Sequence, residues 1–128
     1  MNTTQNTHRR LPSGCPQWSP WGEVQAARDL GSGLYFVSTA SHGGLYLPQS
    51  MVEAMPAALR CNRYSGSGQW WEEDVEWALP VVWRPELFPA EYLDPAQKTI
   101  LSYRGAGSIY ASAAEWVADH RPMSGGAR

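Results

Sequence analysis

The sequence predicts an α+β fold: a small antiparallel sheet, a β-hairpin or three strands, packed against about four short helices. Three observations carry this. Leu34-Tyr35-Phe36-Val37-Ser38-Thr39 is dense in β-branched and aromatic residues, which suit a pleated, half-buried surface. Gly31-Ser32-Gly33 precedes it and supplies the φ freedom of a hairpin turn. The second half of the chain holds apolar stretches punctuated by proline and acids, the signs of short helices.

Length and composition fit one such unit. A chain of 128 residues buries a core without disulfides or metals. Residues 1–17 are polar and rich in Pro and Gly, so they read as a disordered tail holding His8, Arg9, Arg10 and Cys15. The domain spans 18–121, and 122–128 form a loose C-terminal tail. Cys15 and Cys61 have no metal-ligand spacing, and two thiols do not make a disulfide framework. No apolar run reaches the roughly 20 residues that span a bilayer. The start of the chain lacks the apolar stretch of a signal peptide. The expected location is the cytoplasm, with no membrane contact.

The elements follow in order. Trp18-Ser19-Pro20-Trp21-Gly22 reads as a turn whose indoles plug the core edge. Val24, Ala26 and the residues to 30 alternate weakly, giving the first arm of the hairpin closed by 34–39. Leu45-Tyr46-Leu47 forms a further short strand. Pro48 opens a helix over 49–60, bent at Pro56. Ser65-Gly66-Ser67-Gly68 is a loop. Residues 71–83 fit either a strand or a helix with Val75, Leu79 and Val82 on one side. Carboxylates at the start favour the helix through its dipole, so a helix over 72–84 is expected, fraying at Pro80. Asp94-Pro95 resembles a cap and first helical residue for a helix over 95–103. Ser112-Ala113-Ala114-Glu115 has the pattern of a capping box for a last helix over 112–120.

Two segments carry the chemistry. Ser41-His42-Gly43-Gly44 follows the best strand, and Trp70-Trp71-Glu72-Glu73-Asp74-Val75-Glu76-Trp77 brings four carboxylates among three indoles. A histidine at a strand end before glycines is well displayed, and imidazole titrates near neutrality. Backbone N–H groups at Gly43 and Gly44 could receive an anion. His42 with Glu73 or Asp74 orienting it would form a general base. The other reading of His42 is a pin that fixes its turn, and the other reading of the acids is a solvated helix start. Ser41, His42, Gly43, Gly44, Trp70, Trp71, Glu72 and Trp77 are the candidate binding residues, the indoles acting as anchors and the acids meeting an arginine-rich partner. A second histidine at metal-ligand spacing is missing, so no metal ligand set and no cofactor is assigned.

Several classes are excluded or disfavoured. The formal net charge is −2, and the four acids carry −4 of it, leaving +2 elsewhere. That balance gives no nucleic-acid signal. No phosphate loop, dinucleotide fingerprint or nucleophile elbow is present. Nine of the ten basic residues are arginine, a bias that a GC-rich genome produces without any functional cause.

Trp21-Gly22, the run from Phe36 to Gly44, Trp70-Trp71-Glu72-Glu73-Asp74 and Trp77-Ala78-Leu79 together resemble an uncharacterised domain family of proteobacterial mobile elements, plasmids and phages. The resemblance covers about residues 18–90. Trp71 stands where the family pattern has tyrosine, and Pro80 interrupts its apolar continuation. The resemblance implies no reaction. It implies a mobile-element factor serving host-defence evasion or element maintenance, with a small binding protein that engages a host defence protein as the expected form. The alternative is a hydrolase using His42 with Glu73 or Asp74.

Overall fold

The computed structural model describes residues 11–60, 68–105 and 107–121. Among these residues its α+β architecture has a two-stranded ribbon, a four-stranded antiparallel sheet and four short helices. The ribbon pairs β1 (Trp18–Ser19) with β2 (Gly22–Glu23). The sheet runs β3 (Ala26–Gly31), β4 (Leu34–Ser38), β5 (Gly43–Tyr46) and β6 (Trp70–Glu72), each antiparallel to its neighbour. Helix α1 spans Gln49–Ala54, α2 Ala78–Trp83, α3 Leu93–Leu101 and α4 Ala111–His120. Two 3₁₀ turns, Pro85–Leu87 and Ala90–Tyr92, link α2 to α3.

The expected hairpin is present. Ser32 and Gly33 form its two-residue turn at φ 57° and 80°, the positive values a primed turn needs. Alternation then sorts β4: Leu34 enters the main core while Tyr35 and Val37 face a second, smaller cluster. The same alternation splits the tryptophan pair. Trp71 joins the main core with Leu34, Leu45, Leu47, Leu79, Val82 and Ile100, whereas Trp70 packs with Cys15, Val24, Tyr35 and Val37. Both faces of the sheet are therefore covered. Helices cover one, and the N-terminal segment with the ribbon covers the other.

Four expectations are corrected. Glu72, expected to open a helix, instead ends a fourth strand, because Trp70, Trp71 and Glu72 pair with Tyr46, Leu45 and Gly44. The helix begins only at Ala78. Pro80 thus lies in its first turn, where an absent N–H costs no intrahelical bond, so it does not fray the helix. Leu79 and Val82 do face the core, with Val75 partly buried against it. Residues 11–17, expected in the tail, include Cys15, which is buried in the smaller cluster; Tyr35 Oη donates to the Ser13 carbonyl at 3.0 Å. Residues 1–10, Cys61, most of the expected 65–68 loop and 122–128 lie outside the described residues.

Both expected side-chain caps are also replaced. Asp94 sits inside the first turn of α3 and pairs with Lys98 at 3.1 Å, one turn on. Ser112 lies inside α4 and donates instead to the Ala58 carbonyl at 3.2 Å, tying that helix to the chain after α1. Helix α1 is shorter than expected, ending at Ala54 before Pro56. At the other end of the helical layer, Arg121 reaches back to α2. Its Nε and Nη2 donate to the Val82 and Trp83 carbonyls at 2.9 and 3.0 Å, satisfying acceptors that the helix end leaves open. Among the described residues no helix is long and apolar enough to cross a membrane.

Candidate functional site

The β4–β5 turn displays His42, and one threonine holds that turn. Thr39 Oγ1 accepts the His42 and Ser41 backbone N–H groups at 3.1 and 3.3 Å and donates to the His42 carbonyl at 2.7 Å. The Thr39 N–H donates to the same carbonyl at 2.8 Å. These bonds fix the backbone of His42 while its side chain stays exposed. In the sequence Thr39 stands only as the end of the best strand. Its role depends on the turn closing back on itself, which spacing alone does not specify.

The acids arrive from the adjacent strand. Gly44 pairs with Glu72, and the Glu73 N–H donates to the Gly43 carbonyl at 2.9 Å, extending β6 by one bond. Both glycines are required for this approach. A Cβ at Gly44 would lie 2.3 Å from the Trp71 carbonyl oxygen, and one at Gly43 would lie 2.6 Å from the Val37 carbonyl and 3.0 Å from Glu73 Oε1. Strand pairing therefore carries Glu72 and Glu73 to the His42 turn.

Ligating atoms of His42, Glu72 and Glu73 all lie within 4.8 Å of one another. His42 and Glu73 are exposed, and Glu72 is half-buried. Asp74 is outside this trio. Its backbone N–H donates to Glu72 Oε1 at 2.8 Å, orienting that carboxylate. Glu76 is 1% exposed, and its Oε1 accepts the Glu72 N–H at 3.2 Å. Burial pushes the Glu72 carboxyl above its ordinary range. The charges of Asp74, Glu76 and Glu73 act in the same direction, while the Asp74 N–H opposes them.

The remaining candidate residues divide by burial. Trp71 is fully buried and Trp70 is 8% exposed, so neither indole is a surface anchor. Trp70 instead stacks edge-on with Trp21 at 5.6 Å and against Tyr46 at 4.8 Å. Gly43 and Gly44 are buried under Glu73 and Trp21, so their role is to admit neighbours. Trp77 is half-buried and meets Tyr92 edge-on at 6.0 Å. Ser41 is exposed beside His42. A cleft of about 480 Å³ adjoins the acids, lined by Glu72, Asp74, Val75, Tyr103 and residues 107–110, but neither His42 nor Glu73 lines it. His120 ends α4 as expected, stacked on Trp116 at 4.2 Å with Nδ1 2.9 Å from the Trp116 carbonyl.

Trp18 was expected to plug the core and does not. It is 67% exposed, the large apolar side chain left in solvent among the described residues. Its ribbon abuts the histidine turn: Thr39 Oγ1 lies 3.5 Å from the Trp21 carbonyl, and Trp21 packs over Gly44.

The family model for a domain of unknown function, DUF7007, matches residues 14–121. The chain belongs to this family. The match takes in Cys15 and the ribbon at one end and Arg121 at the other, so the DUF7007 unit coincides with the packed fold described above. No curated protein and no solved structure matches the chain.

Proposed function

We propose that this DUF7007 protein is a small cytoplasmic binding module of a mobile genetic element, engaging a host protein of the defence class through a basic segment. The observation that carries the reading is the exposed Trp18 on a ribbon whose Trp21 packs over Gly44, next to the His42 turn. An exposed indole receives arginine well, because the ring face attracts the guanidinium, and in this reading the exposed Glu73 and Asp74 pair with further basic groups of the same segment. The anchor is thus Trp18 rather than Trp70 or Trp71. The mobile-element setting rests on the resemblance of the motifs.

The test is cross-linking with mass spectrometry in host cells, comparing wild type with Trp18→Ala and with Glu73→Gln/Asp74→Asn. A partner that cross-links through an arginine-rich segment and is lost in both variants supports the reading. A partner set unchanged by both variants refutes it.

A second reading, the His/carboxylate hydrolase, is favoured by the approach of Glu73 and Glu72 to His42. In it His42 takes a proton from water and Glu73 orients the ring, with Glu72 replacing Asp74 as the nearby acid. Assay of ester and phosphoester substrates decides it. Activity lost in His42→Ala at unchanged melting temperature supports the reading, and activity retained there removes it.

A further inference from the structure

We propose that His42, Glu72 and Glu73 form a binding site for a divalent first-row transition-metal cation. One imidazole nitrogen and two carboxylate oxygens are a donor set that zinc and its neighbours accept, and an imidazole ligand discriminates against magnesium and calcium. At metal–ligand distances of about 2.1 Å, two donors on a tetrahedral ion lie roughly 3.4 Å apart. The three side chains stand within 4.8 Å before any contraction, and two of them are exposed and free to turn inward.

The protein parts that bring the donors together are rigid. His42 is fixed at its backbone by Thr39, and Glu72 and Glu73 are fixed by pairing with Gly44 and Gly43. Glu72 already has one oxygen oriented by the Asp74 N–H, the kind of outer-shell bond that aims a ligating carboxylate. A dication would also offset the repulsion among four carboxylates crowded into residues 72–76. Three protein ligands leave at least one coordination position for water or for a ligand group, as sites that act on a substrate do. This inference is independent of the partner proposed above.

Isothermal titration of the full chain, stripped with chelator, with Zn²⁺, Ni²⁺, Mn²⁺ and Mg²⁺ tests it. The expected result is one equivalent of Zn²⁺ or Ni²⁺ bound per chain, with Mg²⁺ much weaker. His42→Ala and Glu73→Gln each weaken binding by at least ~10-fold. Asp74→Asn leaves it unchanged in stoichiometry. Both key substitutions lie at exposed side chains, and circular dichroism checks their folding; Glu72→Gln serves if one of them misfolds. Absence of saturable binding, a preference for Mg²⁺, or affinity unchanged by His42→Ala and Glu73→Gln overturns the site.

Discussion

Gly44→Ala should be the most damaging single methyl added to the sheet. Its Cβ would lie 2.3 Å from the Trp71 carbonyl oxygen, 2.7 Å from Trp21 Cη2 and 3.0 Å from Glu72 Cα. Ordinary contact begins near 3.4 Å, so β5 and β6 must separate by about 1 Å. That movement stretches the 2.9 Å bond from the Glu73 N–H to Gly43 beyond hydrogen-bonding range. Overpacking costs about 1–3 kcal/mol, and a lost backbone bond adds about 1 kcal/mol. For a unit of about 100 residues, unfolding entropy is roughly 0.2 kcal/mol/K, so a total near 3 kcal/mol lowers Tm by roughly 10–15 °C. Differential scanning calorimetry reads this directly. Gly68→Ala is the control, since its Cβ meets only Gln49 Oε1 at 3.9 Å. Adding Trp21→Ala to the Gly44 variant removes the side-chain clash but not the backbone one, and should not restore stability. A Gly44→Ala protein melting within about 3 °C of wild type would refute the close packing of β5 on β6.

Four further outcomes follow from the packing and charge. Thr39→Val removes the hydroxyl that holds His42 and should cost about 1–2 kcal/mol in urea unfolding, with faster amide exchange at Ser41 and His42. Arg121→Ala leaves the Val82 and Trp83 carbonyls without their donor and should cost about 1.5–3 kcal/mol in the same measurement. The folded Glu72 carboxyl titrates above its unfolded counterpart, so the folded state binds the extra proton and stability falls as pH rises through that window. Glu72→Gln should therefore raise Tm at neutral pH and lose that advantage below the ordinary carboxylate range. Burial, with Asp29 adding to it, pushes the Cys15 thiol up, so mass spectrometry should find Cys15 alkylated only on unfolding in a Cys61→Ser background.

The parts of this fold visible in the sequence are those set by neighbours along the chain. Ser32-Gly33 between two strand-forming runs specifies its hairpin locally, and β4 and β5 follow from it. Glu72 reads as a helix start because the acids there satisfy a helix dipole equally well. What makes it a strand is a partner more than twenty residues earlier whose two glycines leave room for it. The same distance hid the burial of Cys15, which joins the cluster of Val24, Tyr35, Val37 and Trp70 without any periodic signal. The proximity of His42 to the acids was legible as two halves of one neighbourhood. Glu72 stands in place of Asp74 because residues 72 and 73 are held against Gly44 and Gly43, whereas Asp74 lies beyond that pairing.

The pairing of β6 with β5 also sets an order of assembly. Strands β3, β4 and β5 form a meander from near neighbours, whereas joining Tyr46 to Trp70 closes a much longer loop and is entropically the later step. Until that step, His42 has no carboxylates beside it. Any ligand bridging the turn and the strand end therefore acts as a staple on the last closure, adding about 2.7 kcal/mol at a hundredfold excess over Kd. Occupancy of this corner and completion of the sheet become one equilibrium, so a ligand there would report, and reinforce, a finished fold.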